Sequence, residues 1–176
     1  IRRDGYPAQD IAKHQLEIVG VVTSGGRANA EFVQKEFGLS CEKDLAGLLN
    51  KKPAAVFIAT PDETHYDTAK EALEHGIAAF VEKPLALTLK DAQSLVDLAK
   101  RRKAILSTGH LLVFHPCVTM IREHLDRTGQ EPRAIFSSRL AQFPLTAGRT
   151  VLRSSLVHDI SMVDLFMGEL PSKSFC

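Results

Sequence analysis

The segment Phe80-Val81-Glu82-Lys83-Pro84 joins an apolar run to residue types that can move protons. The apolar residues 77–81 predict a buried strand, and Pro84 has no N–H with which to continue a ladder, so the strand should stop near Glu82. Lys83 would then lie at a strand's carboxyl end, which is the ligand-binding edge of an open α/β sheet. A lysine held there by a stiff X-Pro step can be a positioned proton donor, although such a lysine taken alone is more often a solvated loop residue.

Composition narrows the classes of partner. The 176 residues are 44% hydrophobic and 24% charged, which is ordinary for a globular protein with a real core. The formal net charge of +1 gives no basic face for nucleic acid, and no apolar run reaches the roughly 18 residues that span a bilayer. Three cysteines without a pairing pattern favour free thiols in a reducing compartment, with cytoplasm as the default. Small, neutral ligands or partners remain possible, and we expect no nucleic acid and no membrane.

Strand and helix periods alternate through most of the chain. Strands are predicted at 16–23, 54–59, 77–82 and 104–107. Helices are predicted at 30–37, after Asp44 as its cap, at 65–75 with Gly76 ending it, and after a capping box formed by Thr88 and Asp91. This rhythm calls for right-handed crossovers and a mostly parallel sheet. Residues 1–110 are therefore predicted to form a Rossmann-like, doubly wound α/β domain.

The pattern changes after Gly109. A helix at 116–127, a longer alternating strand at 133–141, a polar loop through Arg149 and a helix at 156–167 are predicted. Residues 111–176 are expected to begin an α+β domain. Residues 1–15 resemble the later part of a helix with no strand before it, and the chain stops at Cys176 soon after a helix has closed. We expect a fragment whose Rossmann-like sheet is incomplete.

Four successive motifs resemble those of the Gfo/Idh/MocA oxidoreductases. They are Ala59-Thr60-Pro61 with His65, then Glu82-Lys83-Pro84, then Gly-His-Leu-Leu-Val-Phe-His-Pro at 109–116, and His158-Asp159. The third motif, with Ser138 to Leu140 and Val151-Leu152, resembles the branch that contains UDP-N-acetylglucosamine(uronate) 3-dehydrogenases. The resemblance implies an NAD(P)-dependent oxidoreductase that transfers hydride between a nicotinamide cofactor and a sugar or nucleotide-sugar hydroxyl. It also implies a C-terminal domain for substrate and oligomer contacts, and hence a homo-oligomer at full length.

The resemblance gives the residues of the strand ends their roles. Lys83 resembles the lysine that bonds the nicotinamide ribose and assists proton transfer from the substrate hydroxyl, with Glu82 as an orienting neighbour and Pro84 beside them. His65 belongs to the motif of Thr60 and Pro61, whose backbone passes the ribose and nicotinamide. The alternative for that motif is a plain turn, opened by Pro61 and capped by Asp62 or Thr64.

Histidines supply the substrate side in this interpretation. His158 resembles the substrate-side histidine, and an imidazole can accept a hydroxyl proton near neutral pH, although a histidine at a helix start is often structural. The acid that many members carry four residues earlier is replaced here by Ser154. His110 is expected to contact substrate or nicotinamide. His115 could equally order a helix start, and its spacing from His110 and Cys117 matches no familiar zinc pattern, so no metal is expected.

Cofactor choice stays open between NAD and NADP. The chain has no Gly-x-Gly-x-x-Gly motif to cradle a pyrophosphate. Thr23 and Ser24, with Arg27 nearby, stand where an acid would accept the ribose hydroxyls of NAD, and these donors suit a 2′-phosphate. Arg27 is about as well explained as a surface helix residue. The rival function is a non-catalytic truncated product or pseudoenzyme that keeps the fold for protein interaction.

Overall fold

A parallel sheet forms the centre of the computed structural model, which describes residues 16–138 and 155–168. Its three strands lie in the order β1 (Ala55–Ile58), β2 (Ala78–Val81) and β3 (Leu106–Thr108). The described helices are α1 (Gly26–Phe37), α2 (Leu45–Asn50), α3 (His65–Glu74), α4 (Leu89–Arg102), α5 (Pro116–Thr128) and α6 (Val157–Met167). Because α3 joins β1 to β2 and α4 joins β2 to β3, the chain contains successive β-α-β units, which confirms the predicted Rossmann-like fold class.

Alternating side chains decide which face of the sheet is buried. Val56 and Ile58 of β1 lie on the same face as Ala79 and Val81 of β2, and all four are buried beneath the helices. Helices α3 and α4 pack against each other, α3 packs on β1 and β2, and α4 packs on β3. The described core comprises Leu49, Val56, Ile58, Ala69, Ala72, Leu73, Ile77, Ala79, Val81, Leu95, Leu98 and Ala99.

Local signals place the helix ends as predicted. The Asp44 carboxylate accepts a hydrogen bond from the Gly47 N–H at 2.8 Å, which caps α2. The Thr88 hydroxyl oxygen accepts from the Asp91 N–H at 3.1 Å and donates to the Asp91 carboxylate at 2.7 Å. Gly76, with φ of +72°, turns the chain from α3 into β2. Side-chain caps therefore begin α2 and α4, and a left-handed glycine ends α3, where the sequence predicted.

The predicted strand at 16–23 is wrong. Within the described residues this segment makes only an isolated parallel bridge between Val21 and Cys41. The Val21 N–H donates to the Ser40 carbonyl at 2.9 Å, and the Glu42 N–H donates to the Val21 carbonyl at 2.8 Å. β-Branched residues favour an extended backbone, but a strand is completed by a partner that pairs along its length. The bridge gives Val21 that pairing at one position only.

The later segments agree with prediction in part. Helices α5 and α6 form where expected, and the Arg122 guanidinium joins them by donating to the Leu165 carbonyl at 3.2 Å. Residues 133–138 form no strand, which corrects the predicted strand at 133–141, whose last three residues lie outside the described ranges. Phe136 is 96% exposed, so alternation there is not matched by burial against a neighbour. The domain boundary at 110/111 stays a prediction. None of the described helices could cross a membrane.

Two leucines of α4 test the assignment of the core. Leu95→Ala should lower the free energy of unfolding by about 2 to 5 kcal/mol, because Leu95 is fully buried and its truncation leaves a cavity. Leu89→Ala is the matched control, since Leu89 lies on the same helix and is 85% exposed. Urea unfolding followed by circular dichroism measures both changes. Similar losses for the two variants would contradict the assigned packing of α4.

Candidate functional site

The carboxyl ends of the three strands meet at one edge of the sheet. Ile58 pairs with Val81, and Val81 pairs with Thr108. Two backbone bonds continue this alignment, because the Glu82 N–H donates to the Ile58 carbonyl and the Gly109 N–H donates to the Val81 carbonyl, each at 2.8 Å. The loops that begin after β1, β2 and β3 therefore leave the sheet side by side, as a ligand-binding edge requires. We call these the first, second and third loops.

Lys83 lies in the second loop, directly after the residue that ends the strand pairing. Its side chain is half-buried, and its peptide bond to Pro84 is cis. The Lys83 N–H donates to the carboxylate of the preceding Glu82, whose Oε2 is 3.2 Å away. This contact ties the Glu82 carboxylate to the backbone of Lys83, and an orienting role for Glu82 stays a prediction. The structure thus places Lys83 at the sheet edge where the sequence predicted it.

Gly109 begins the third loop and lies very close to Glu82. A Cβ atom at Gly109 would be 3.1 Å from Oε2 of Glu82 and 3.4 Å from its Cα. Glycine therefore leaves room for the Glu82 carboxylate, which a side chain at position 109 would displace. Gly109 belongs to the third sequence motif, but no function was predicted for it. Its position directly after a predicted strand was the available indication.

His65, the first residue of α3, is buried between the first and second loops. Its Nδ1 lies 2.7 Å from the Pro84 carbonyl oxygen, and its Nε2 lies 2.9 Å from the Thr60 carbonyl oxygen. Both ring nitrogens therefore face protein backbone. Cofactor binding by His65 stays a prediction, and this geometry favours an indirect role for the ring.

Thr60 and Pro61 form the turn that was predicted as an alternative to cofactor contact. The Thr64 N–H donates to the Pro61 carbonyl at 2.9 Å, and the Thr64 hydroxyl lies 2.7 Å from the Thr60 hydroxyl and 2.8 Å from the Pro61 carbonyl. Thr64 thus caps the turn. Thr60 and Pro61 remain exposed beside the second loop, so a turn and a ligand contact are compatible here.

His110 directly precedes the turn that packs against the helix carrying His158. His110 follows Gly109, and its Nδ1 is buried without a hydrogen-bond partner among the residues that the structure describes. A buried polar atom of this kind is one that a ligand can satisfy. His158 is half-buried in the first turn of α6, and α6 packs against the 3₁₀ turn Leu111–Phe114 that follows His110. Substrate contact by either histidine stays a prediction, and Ser154 lies outside the described residues.

His115 has the structural role that the sequence left open. Its Nδ1 accepts a hydrogen bond from the Cys117 N–H at 3.2 Å, so the ring caps the N-terminus of α5. This bond commits one ring nitrogen of His115 to the helix. Within residues 16–138 and 155–168, no group of three His, Cys, Asp or Glu side chains could hold a metal ion.

The residues predicted to set cofactor choice lie before and within α1. The Thr23 hydroxyl accepts from the Gly25 N–H at 3.3 Å and lies 3.4 Å from the Asn29 amide nitrogen. Ser24 is exposed. The Arg27 side chain is 93% exposed and pairs with Glu31 at 2.7 Å, which agrees with the surface-helix alternative. Its contact with a 2′-phosphate stays a prediction.

The donor set at the sheet edge fits a nicotinamide nucleotide. Thr60 offers a hydroxyl, Lys83 an ammonium group and His110 a ring nitrogen, while Gly109 leaves room for the Glu82 carboxylate. Hydroxyl and ammonium groups suit ribose hydroxyls, which both donate and accept hydrogen bonds. These groups therefore fit the ribose part of such a cofactor and do not account for its pyrophosphate.

Comparison with known proteins gives a consistent set of matches. The family model described as Gfo/Idh/MocA, an oxidoreductase family with an NAD-binding Rossmann fold, matches residues 3–110. UDP-N-acetylglucosamine 3-dehydrogenase from Acidithiobacillus ferrooxidans is 31% identical over 118 residues, which are 66% of this chain and 37% of that protein. The NAD⁺-dependent scyllo-inositol 2-dehydrogenase from Bacillus subtilis is 31% identical over 102 residues, which are 57% of this chain and 30% of that protein.

Solved structures agree with these matches. A structure of the Acidithiobacillus ferrooxidans UDP-N-acetylglucosamine 3-dehydrogenase GnnA superposes with a TM-score of 0.78 at 26% identity, covering 94% of this chain and 53% of that chain. The chain thus spans about half the length of these relatives or less. The non-catalytic alternative gains no support from these comparisons.

The close approach of Gly109 to Glu82 yields a stability prediction. Gly109→Ala should lower the free energy of unfolding by about 1 to 2 kcal/mol, because the new methyl group would displace the Glu82 carboxylate from its place beside Gly109. Gly47→Ala is the control: its Cβ would meet nothing closer than 3.4 Å, and alanine in a helix should raise stability by up to about 1 kcal/mol. Urea unfolding measures both. A neutral Gly109→Ala would show that the Glu82 carboxylate can move aside without cost.

Arg27 yields a prediction about cofactor preference. In the full-length protein, Arg27→Ala should weaken NADPH binding by roughly 1 to 3 kcal/mol and leave NADH binding nearly unchanged, because only the 2′-phosphate would lose a charge-assisted hydrogen bond. Lys35→Ala removes another cation from α1 and serves as the control. Fluorescence titrations with both nucleotides give the affinities. Equal losses for NADPH and NADH would make Arg27 a structural residue.

Proposed function

Because this chain belongs to the Gfo/Idh/MocA oxidoreductase family, we propose that the full-length protein is an NAD(P)-dependent dehydrogenase acting on a CH–OH group of a sugar or nucleotide sugar. The observation that carries the proposal is the position of Lys83. It lies in the loop that follows β2, the central strand, on the ligand-binding edge of the sheet. The cofactor, when bound, would accept the hydride from the substrate carbon. Binding the substrate and moving its hydroxyl proton are left to the side chains of the protein.

Lys83 is the proton-handling residue in this proposal. In its neutral form its amino group accepts the proton of the reacting hydroxyl as the C–H bond breaks, and the ammonium group that forms then passes a proton to solvent. Little negative charge develops on the substrate oxygen when the proton leaves the oxygen at the same time as the hydride leaves the carbon. The preceding carboxylate of Glu82 accepts from the Lys83 N–H, which holds the backbone that carries the ammonium group.

The two histidines of the substrate side complete the proposed site. His110 follows the third loop's first residue, so its buried Nδ1 is available to a hydroxyl of the substrate or to the cofactor. His158 lies on α6, which packs against the turn directly after His110. An imidazole there can share the proton with Lys83, because a ring nitrogen can either accept or donate a proton. The helix α6 thus brings a second acid-base group from a distant part of the sequence.

The sugar class rests on the named activities of the relatives. One acts on UDP-N-acetylglucosamine and another on scyllo-inositol, and both substrates are cyclic and rich in hydroxyl groups. Hydroxyl, ammonium and imidazole groups at the edge suit such a substrate because each can bond a hydroxyl. We propose a homo-oligomer for the full-length protein on the strength of the family resemblance alone. NAD and NADP both remain compatible with the family's description.

Lys83→Met tests this function directly. Methionine keeps most of the stem and removes the proton, so kcat should fall at least about a hundredfold while the protein stays folded. Lys90→Met, at an exposed lysine in the first turn of α4, is the control and should leave kcat unchanged. Absorbance of the reduced nicotinamide measures turnover with a panel of UDP-sugars, free sugars and inositols. His158→Ala should also lower kcat, with a larger effect on substrate binding.

Two results would count against the proposal. A wild-type protein that binds NADH or NADPH but oxidises no member of the panel would contradict the substrate class. A Lys83→Met variant that turns over near the wild-type rate would show Lys83 to be a solvated loop residue.

A further inference from the structure

We propose that His65 is a positioning residue that clamps the first loop to the second and thereby fixes the backbone beside Lys83. The inference rests on the proposed function for its consequence in turnover, but the clamp itself is a property of the fold. His65 Nδ1 is 2.7 Å from the Pro84 carbonyl oxygen, and Nε2 is 2.9 Å from the Thr60 carbonyl oxygen. Those two carbonyls belong to different loops of the sheet edge.

Burial gives the contacts their importance. His65 is 1% exposed and is the one buried polar or charged residue among those described. A buried ring nitrogen that loses its partner keeps the full cost of its desolvation, so the fold favours conformations in which both loops stay near the ring. The ring therefore acts as a spacer of fixed length between Thr60 and Pro84. Helix α3, which His65 begins, supplies its rigid base.

The contact with Pro84 is the one that reaches the reacting group. A neutral imidazole carries a single N–H, whereas the doubly protonated ring carries one on each nitrogen. Hydrogen bonds to both loops therefore require an N–H on each ring nitrogen, one donated to the Pro84 carbonyl over 2.7 Å and the other to the Thr60 carbonyl over 2.9 Å. Lys83 directly precedes Pro84, so the position of the Pro84 carbonyl constrains where the lysine side chain starts. A displacement of about 1 Å at a catalytic group can cost up to a hundredfold in rate.

His65→Leu and His65→Asn separate the clamp from simple packing. Leucine keeps an apolar side chain and removes both ring nitrogens, whereas the asparagine amide keeps a donor close to the position of Nδ1. We expect His65→Leu to lower kcat roughly ten- to a hundredfold, with a smaller change in KM. His65→Asn should lower kcat by less than His65→Leu does. The Lys83 and Leu85 backbone amides should exchange hydrogen faster in His65→Leu.

His75 provides the matched control. It ends the same helix α3, and its Nδ1 also lies close to a backbone carbonyl, that of Glu71 at 2.9 Å. His75 is exposed, however, and this contact lies within α3 and does not link two loops. His75→Leu should change neither kcat nor hydrogen exchange at 82–85. Equal effects of the two leucine variants would overturn the proposal, because a backbone contact anywhere on α3 would then explain them.

Nuclear magnetic resonance of the wild-type protein tests the clamp without a substitution. In protein labelled with ¹⁵N at histidine, we expect slowly exchanging protons on both Nδ1 and Nε2 of His65. A ring protonated on one nitrogen only would bond one loop alone and would overturn the proposal, even if every variant failed to fold.

These readouts distinguish failure of the clamp from failure of the proposed function. If the wild-type protein turned over no sugar, the two ring protons and hydrogen exchange would still decide whether His65 joins the loops. If Lys83→Met abolished turnover while folded His65→Leu kept the wild-type kcat and wild-type exchange at 82–85, the proposed function would stand and the clamp would be wrong.

Discussion

Parallel pairing at the ends of three strands is the constraint on which the site depends. The pairs Ile58–Val81 and Val81–Thr108 bring the last residues of the strands level, and one further backbone bond on each side extends that alignment into the loops. Thr60, Lys83 and His110, which lie far apart in sequence, therefore begin from neighbouring points. If one strand shifted its register by one residue, its side chains would turn to the other face of the sheet, and its loop would move away from the other two.

The packing of helices on one face maintains this alignment. Val56, Ile58, Ala79 and Val81 are buried beneath α3 and α4, so the strands cannot slide without exposing apolar area. The first turn of α3 contributes His65 at the same edge. One helix thus both covers the sheet and contacts the two loops that carry Thr60 and Pro84.

Sequence alone predicts the features that depend on neighbouring residues. Gly76, the Thr88 and Asp91 capping pair and the proline after Lys83 each act within a few positions, and the structure has the corresponding helix ends and strand end. The strand at 16–23 was wrong because strand formation depends on a partner elsewhere in the chain, which composition does not reveal. The contact between His65 and Pro84 was missed for the same reason, since it joins residues 19 positions apart.

The β-α-β connectivity also has a kinetic consequence. Ala55 pairs with Ala78, and Ala79 pairs with Leu106, so each pairing joins residues more than twenty positions apart. The chain must lose the entropy of closing those loops before the strands gain their hydrogen bonds. Helices α3 and α4 shorten the distance that each crossover must close, because a helix rises only about 1.5 Å per residue. Helix propensity in the crossovers therefore bears on how fast the sheet assembles.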